Sequence, residues 1–286
     1  MLDTTFCEKL KNALYHKTLY VMGAFGAPLN NSNKQRYITE YPYNRTVTRK
    51  AMINNASDDT FAFDCVCLIK GIMWGWQGLT KDTYGGARYC SAAPSDIDTE
   101  QMIQLCRDVS ADFQNIVAGE LVHMRGHVGV YVGAGLVVEC SPAWKNGVQF
   151  TNLGNLKFER PEYPTRYWES HGKMPWITYT PNKINNRILG FQMMSVYDGY
   201  KFPKYGVDGE FGNETLSVMR VNLVTANKKN KNTIKYVQKL VGINNENCDG
   251  IYGTQTKNYI MKYQKTHNLE VDGIVGVNTW RKLLEV

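Results

Sequence analysis

From Cys65 onward, Leu68, Ile69, Ile72, Met73 and Trp76 recur at the spacing of one helix face, which predicts a buried helix whose first residue is a cysteine. Asp64 stands just before it, where a carboxylate accepts from the unpaired amides of a first turn. Phe6, Leu10, Ala13 and Leu14 predict an amphipathic helix at the start of residues 3–22, leading into Leu19–Gly26. Further on the pattern changes to alternation. Gly119–Met124, Gly126–Val132 and Leu136–Cys140, with Gly133-Ala134-Gly135 between the last two, predict a β-hairpin. A helix is expected near Thr99–Asp108, and Pro161–Tyr179, with Trp168 and Trp176, reads as the strand-and-loop closure of the first domain. Asn30–Asp59 is rich in Asn, Arg, Thr and Tyr with little periodicity, so a long surface loop lining a cleft is expected there.

The last hundred residues repeat themselves. The pattern D-G-x-x-G-x-x-T occurs at Asp208–Thr215, Asp249–Thr256 and Asp272–Thr279, and each copy follows an Ile-x-x-apolar-Gln pattern at Ile188–Gln192, Ile234–Gln238 and Ile260–Gln264. Asp-Gly makes a tight turn, and x-x-Thr opens the next helix. The pattern predicts short helices that need one another to bury a core, with Trp280, Leu283 and Leu284 as the inward stripe of the last copy. The Asn/Lys-rich stretch Ala226–Asn232 reads as a solvated connector.

A length of 286 residues fits two domains, expected at 1–179 and 187–286 with a linker over 180–186. The expected class is α+β: a helix packed on an antiparallel sheet, then a small all-α repeat domain. The net charge of +7 is uneven. Residues 1–180 hold 18 Lys and Arg against 17 Asp and Glu, whereas 181–286 hold 15 against 9. A basic C-terminal module suggests an anionic partner: nucleic acid, a membrane surface or an anionic wall polymer. No recognised nucleic-acid motif accompanies those lysines, so no nucleic-acid partner is expected. There is no leader-like segment and no apolar run long enough to span a bilayer, so synthesis in the cytoplasm without membrane insertion is expected. Seven cysteines, an odd number without C-x-x-C pairs, read as free thiols.

A cysteine in the first turn of a helix is either an inert core residue or a nucleophile whose thiolate the free amides stabilise, which would lower its pKa. A nucleophile needs a base, and the base a third group to fix its tautomer. With the three-residue loop 133–135, Val132 pairs with Leu136 and Gly129 with Glu139, which puts His127, Gly129 and Glu139 on one face and Val128, Val130 and Val132 on the other. A two-residue loop would send Glu139 to the opposite face. Cys65, His127 and Glu139 are therefore the candidate catalytic residues. His123 lies outside these paired arms without an evident partner. A metal site from His123, His127 and Cys140 matches no familiar ligand spacing, so neither metal nor cofactor is expected.

These residues resemble the NlpC-type cell-wall cysteine peptidases, a papain-like family. Tyr20-Val21-Met22-Gly23, Asp64-Cys65-Val66-Cys67-Leu68-Ile69, Gly119-Glu120-Leu121-Val122 and His127–Gly133 match its motifs in order and hairpin spacing. Val66-Cys67 replaces the usual Ser-Gly after the nucleophile, Glu139 stands where His is frequent, and Asn30–Asp59 looks like an insertion. The resemblance implies a papain-like fold and places Tyr20 and Asp64 with substrate. The C-terminal repeats resemble the three-helix peptidoglycan-binding module, one copy spanning about residues 233–286. Such a combination without a leader looks like a phage endolysin, released to the bacterial wall late. The implied activity is hydrolysis of a stem-peptide amide in peptidoglycan. Cleavage at the sugar–peptide junction by the same residues and a non-catalytic wall-binding protein are the alternatives.

Overall fold

The computed structural model describes residues 1–181 and 184–286 of the chain. It is mixed α+β and divides into two compact units, Met1–Gly154 with Glu159–Pro181, and Asn155–Phe158 with Asn182–Val286. The second unit reclaims residues 155–158 because the Phe158 ring packs edge-on against Tyr236, 6.2 Å between centroids, where Gly190 leaves room for it. The linker expected over 180–186 includes residues 182 and 183, which lie outside the described residues.

The first unit begins with α1 (Asp3–Ala13), which buries Phe6, Leu10 and Ala13 as their spacing requires. Strands β1 (Thr18–Tyr20) and β2 (Phe25–Pro28) follow, and then the segment expected as a loop. That expectation is corrected: residues 31–55 form α2 (Asn31–Glu40), a 3₁₀ turn Pro42–Arg45 and α3 (Val47–Asn55). Asn30 caps α2 through the Asn33 amide, 3.0 Å, and both helices bury few apolar side chains, chiefly Tyr37, Ile38 and Ile53. So few anchors leave no periodic stripe to read. Fully buried Asn44 ties the segment down, donating to the carbonyls of Met22 and Tyr37, each 3.0 Å, and accepting from the Met22 amide.

β3 (Phe61–Phe63) lies between β1, parallel to it, and β2, antiparallel. It leads into α4 (Cys65–Met73), capped by Asp64. Leu68, Ile69 and Ile72 are buried, each worth about 2 kcal/mol of apolar transfer. Trp76, expected on the same stripe, lies beyond the helix end at Gly75 (φ +89°) and anchors separately by donating to the Gly26 carbonyl. Gly71 permits close packing, since a Cβ there would sit 2.4 Å from the Phe25 carbonyl oxygen.

After α5 (Thr99–Gln104), shorter than expected, the chain turns into β4 (Arg107–Ser110). β5 (Leu121–Met124), β6 (His127–Tyr131), β7 (Leu136–Ser141) and β8 (Gly147–Leu153) form a meander, flanked by β9 (Thr165–Arg166) beside β8 and β10 (Ser170–Lys173) between β4 and β5. The resulting seven-stranded sheet is antiparallel except at the β8–β9 pair. Its face carrying Val128, Val130, Val132 and Val138 joins the core that α1 and α4 complete.

The second unit contains α6 (Asn186–Tyr197), α7 (Asn213–Val221), α8 (Lys231–Leu240), α9 (Thr254–Thr266) and α10 (Val277–Leu284). Trp280, Leu283 and Leu284 are buried, and the Trp280 ring meets Phe191 at 4.8 Å. One device recurs. Gln192, Gln238 and Gln264 each donate to the aspartate of the following Asp-Gly turn at 2.8 Å and to the Thr hydroxyl at 3.0–3.3 Å, and accept from the Gly amide at 2.8–2.9 Å. The two sequence patterns are thus halves of one buried knot. Of the connector, Asn230 and Asn232 are held by Asn222, Tyr200 and Asp198, while Ala226–Lys229 are exposed.

Candidate functional site

The hairpin register is the one a three-residue loop demands. Val130 pairs with Val138 and Tyr131 with Val137, and the Val132 amide donates to the Leu136 carbonyl at 2.9 Å. Glu139 accordingly faces His127, with 2.5 Å between Glu139 Oε2 and His127 Nε2. Gly129, opposite Glu139, carries no side chain, and Val137 and Trp168 fill the space: a Cβ there would lie 2.6 Å from Val137 Cγ1 and 3.2 Å from the Trp168 ring. Trp168 stacks on the imidazole at 5.4 Å with 11° between planes.

Glu139 is wholly buried. Its Oε1 accepts from Thr151 Oγ1 of β8 at 2.7 Å and from Arg166 Nε of β9 at 2.9 Å. Burial alone would push this carboxyl up, but the hydrogen bonds and charges of His127 and Arg166 outweigh it, so the group lies below the ordinary carboxylate value. An ionised Glu139 accepts only, so the His127 nitrogen facing it carries a proton.

Cys65 opens α4 with its sulfur against the backbone N–H of Val128, the residue after His127. The start of α4 thus lies beside β6, the strand that carries His127. The electrostatics differ from the expectation. Burial, with the Asp64 charge beside it, pushes the Cys65 thiol up to about 12, against the opposing pull of the Val128, Val66 and Cys65 amides. Helix amides favour a thiolate, yet at 6% exposure desolvation is the larger effect. The resting thiol is protonated.

Asp64, expected beside substrate, is 4% exposed, and its oxygens accept from the amides of Cys67 (2.7 Å) and Gly23 (2.8 Å). It holds the Gly23 turn to the start of α4. Gly23 (φ +79°) cannot be replaced cheaply, because a Cβ there would fall 1.9 Å from the Tyr41 ring. Burial, the largest cause, raises the Tyr20 hydroxyl, and Tyr20 shares a buried cluster with Cys65. Arg49 of α3 donates to the Tyr20 carbonyl and, at 2.6 Å, to Asn146 Oδ1, so α3 is tied to β1 and to the β7–β8 turn.

His123 is not without a partner: β5 pairs with β6 through the turn Arg125-Gly126, and His123 Nε2 lies 3.1 Å from Glu100 Oε2. Cys140, on the opposite face from Glu139, points its thiol at the Phe63 carbonyl, 3.3 Å. Among the described residues no group of three His, Cys, Asp or Glu side chains could hold a metal ion. The seven cysteines are free thiols.

Sequence reasoning missed Arg166, Trp168, Thr151 and Arg49. Arg166 and Trp168 are two apart, the spacing that puts side chains on one side of an extended chain, and Thr151 sits two positions past Gln149 on the strand paired with Glu139. Arg49 lies in a segment without periodicity and gave no such signal.

No helix among the described residues is long and apolar enough to cross a membrane. No solved structure matches the chain. Residues 235–283 match the family described as "Putative peptidoglycan binding domain", which supports a wall-binding module at the C-terminus and a cell-wall partner.

Proposed function

We propose that the chain is a peptidoglycan hydrolase that cleaves a stem-peptide amide through Cys65, His127 and Glu139 and is held on the wall by its C-terminal module. The observation that carries this reading is the buried, ionised Glu139 fixed 2.5 Å from His127 Nε2, on the strand pair whose next amide touches the Cys65 sulfur. The match over residues 235–283 supports wall association and so favours peptidoglycan as the substrate.

Because the resting thiol is protonated, attack and deprotonation are coupled. His127 Nδ1 takes the proton as the Cys65 sulfur adds to the amide carbonyl, and backbone N–H groups at the start of α4 receive the developing oxyanion. Collapse breaks the C–N bond, and the imidazolium gives its proton to the leaving amine. Water, deprotonated by His127, then opens the thioester, yielding a carboxylate and the free thiol. Glu139 stabilises the imidazolium in both halves. The basic module raises the local concentration of enzyme on the wall without touching the chemistry. The setting that fits is release from a cytoplasm onto the bacterial wall, as a phage lysin is released; anionic wall polymers are a further partner for the basic half.

Mass spectrometry of purified wall digested by the full chain tests this. Peptide fragments with new amino termini are expected, and loss of lysis in Cys65→Ala. Sugars freed of peptide would assign the cut to the sugar–peptide junction, an N-acetylmuramoyl-L-alanine amidase. Full lysis by Cys65→Ala would refute the thiol mechanism.

A further inference from the structure

Four planar groups form a row from the surface to the imidazole. Trp144, 53% exposed, covers the Arg166 guanidinium at 4.8 Å; Arg166 lies 5.6 Å from Trp168; and Trp168 stacks on His127. Within this row every edge of Arg166 is engaged: Nε with Glu139 Oε1, Nη2 with Ser141 Oγ at 3.3 Å, and Nη1 against Met124 Sδ at 3.9 Å. Among the described residues the charged or titratable groups facing Glu139 are His127 from β6 and Arg166 from β9. Thr151 from β8 is neutral.

We propose that Arg166 is a positioning residue that sets the tautomer of His127. Together with Thr151 it fills Glu139 Oε1 with donors, so that Oε2 remains a bare acceptor and His127 must present Nε2–H to it, leaving Nδ1 free. This rests on reading Cys65, His127 and Glu139 as a hydrolytic site. Without the guanidinium, a wholly buried carboxylate has no fixed counter-charge. It then takes up a proton and can donate from Oε2 to Nε2, which moves the imidazole proton to Nδ1. That nitrogen could no longer accept from the thiol. The two rings fix the guanidinium plane, and a lysine, lacking the planar fork, would replace its charge but not its aim.

The test is long-range proton–nitrogen NMR of the histidine side chains in the full chain without substrate, beside a pH–rate profile on purified wall. The wild type is expected to show Nε2–H at His127 at neutral pH. Arg166→Met is expected to raise the Nδ1–H share, to lower the hydrolysis rate about 100-fold, within what a positioned base contributes, and to move the acid limb of the profile to higher pH. Arg166→Lys should recover part of each. If Arg166→Met fails to fold, Thr151→Val, which strips the other donor from the same oxygen, should shift the tautomer in the same direction to a smaller extent. A folded Arg166→Met, or failing that Thr151→Val, with the wild-type tautomer overturns the proposal, however much activity falls. Absence of wall hydrolysis by the wild type would refute the proposed function, while the NMR measurement would still decide the role of Arg166.

Discussion

The glutamine knot gives the sharpest energetic prediction. In Gln238→Met the side chain keeps roughly its length and loses its amide. Gln238 Nε2 gives up Asp249 Oδ1 (2.8 Å), the Ile251 carbonyl (3.2 Å) and Thr256 Oγ1 (3.0 Å), and its Oε1 gives up the Gly250 amide (2.9 Å). Not all of these partners are orphaned. Asp249 Oδ1 still accepts from the Ile251 amide at 2.8 Å, and the Ile251 carbonyl still accepts from Thr256 Oγ1 at 3.1 Å. Among the described residues the buried Gly250 N–H has no second acceptor, which costs about 1–3 kcal/mol, and the bonds to Asp249 and Thr256 add roughly 1 kcal/mol or less each. The expected loss is about 3 kcal/mol, which for a unit of this size lowers the melting temperature by about 12–20 °C. Calorimetry of the full chain measures it, and binding to purified wall should weaken at temperatures where the unit has melted. A shift under about 3 °C would refute the reasoning, because the Asp-Gly turns would then hold their shape without the glutamine.

Three other outcomes follow from the first unit. Gly23→Ala must hold φ +79° and push the Tyr41 ring aside; roughly 3 kcal/mol of destabilisation is expected in urea unfolding, and an unchanged midpoint would refute it. Alkylation of Cys65 by iodoacetamide, followed by peptide mass spectrometry to separate it from exposed Cys90, should quicken about tenfold per pH unit from 7 to 10, because burial holds the thiol near 12. A plateau below pH 8 would mean a resting thiolate–imidazolium pair instead. Glu139 is depressed below its ordinary 4.5 in the fold, so its contribution to stability is present above about pH 4.5 and lost as pH falls through the lower folded value. The melting-temperature gap between wild type and Glu139→Gln should therefore narrow below pH 4.5, and a constant gap would contradict the assignment.

What could be read without coordinates follows from how strongly each feature is over-determined. The hairpin register was legible because alternation, the count of loop residues and the pairing of His127 with Glu139 all agree, and any slip would bury polar side chains. Residues 31–55 were opaque for the opposite reason: their helices are held by Asn30, Asn44 and a few apolar contacts, so polar side chains carry information that a hydrophobic pattern cannot. The places of Cys65, His127 and Glu139 in their elements were readable and the state of the thiol was not. Helix position is local and favours the anion, whereas desolvation depends on what α1, β6 and β7 pack over Cys65, which no stretch of sequence displays. Arg166 was hidden in the same way, since its meaning lies in a carboxylate 27 positions earlier.

The repeats show how a conserved contact can outlast the spacing that a sequence comparison relies on. From glutamine to aspartate the interval is 16, 11 and 8 residues in the three copies, yet the amide lies 2.8 Å from its aspartate each time. Matched residues 235–283 cover the second and third copies, where the intervals are short. In the first copy the extra chain, Gly199–Val207, forms a loop carrying Tyr200, Phe202 and Tyr205, anchored by Glu214, which accepts from the amides of Lys204 and Tyr205 at 2.9 and 3.1 Å. Loop closure grows only logarithmically more costly with length, so the insertion taxes the knot little. Gln192, Asp208, Gly209 and Thr215 therefore build the same device as the later copies, and the whole second unit, not its last fifty residues alone, is stitched by one kind of hydrogen-bonded turn.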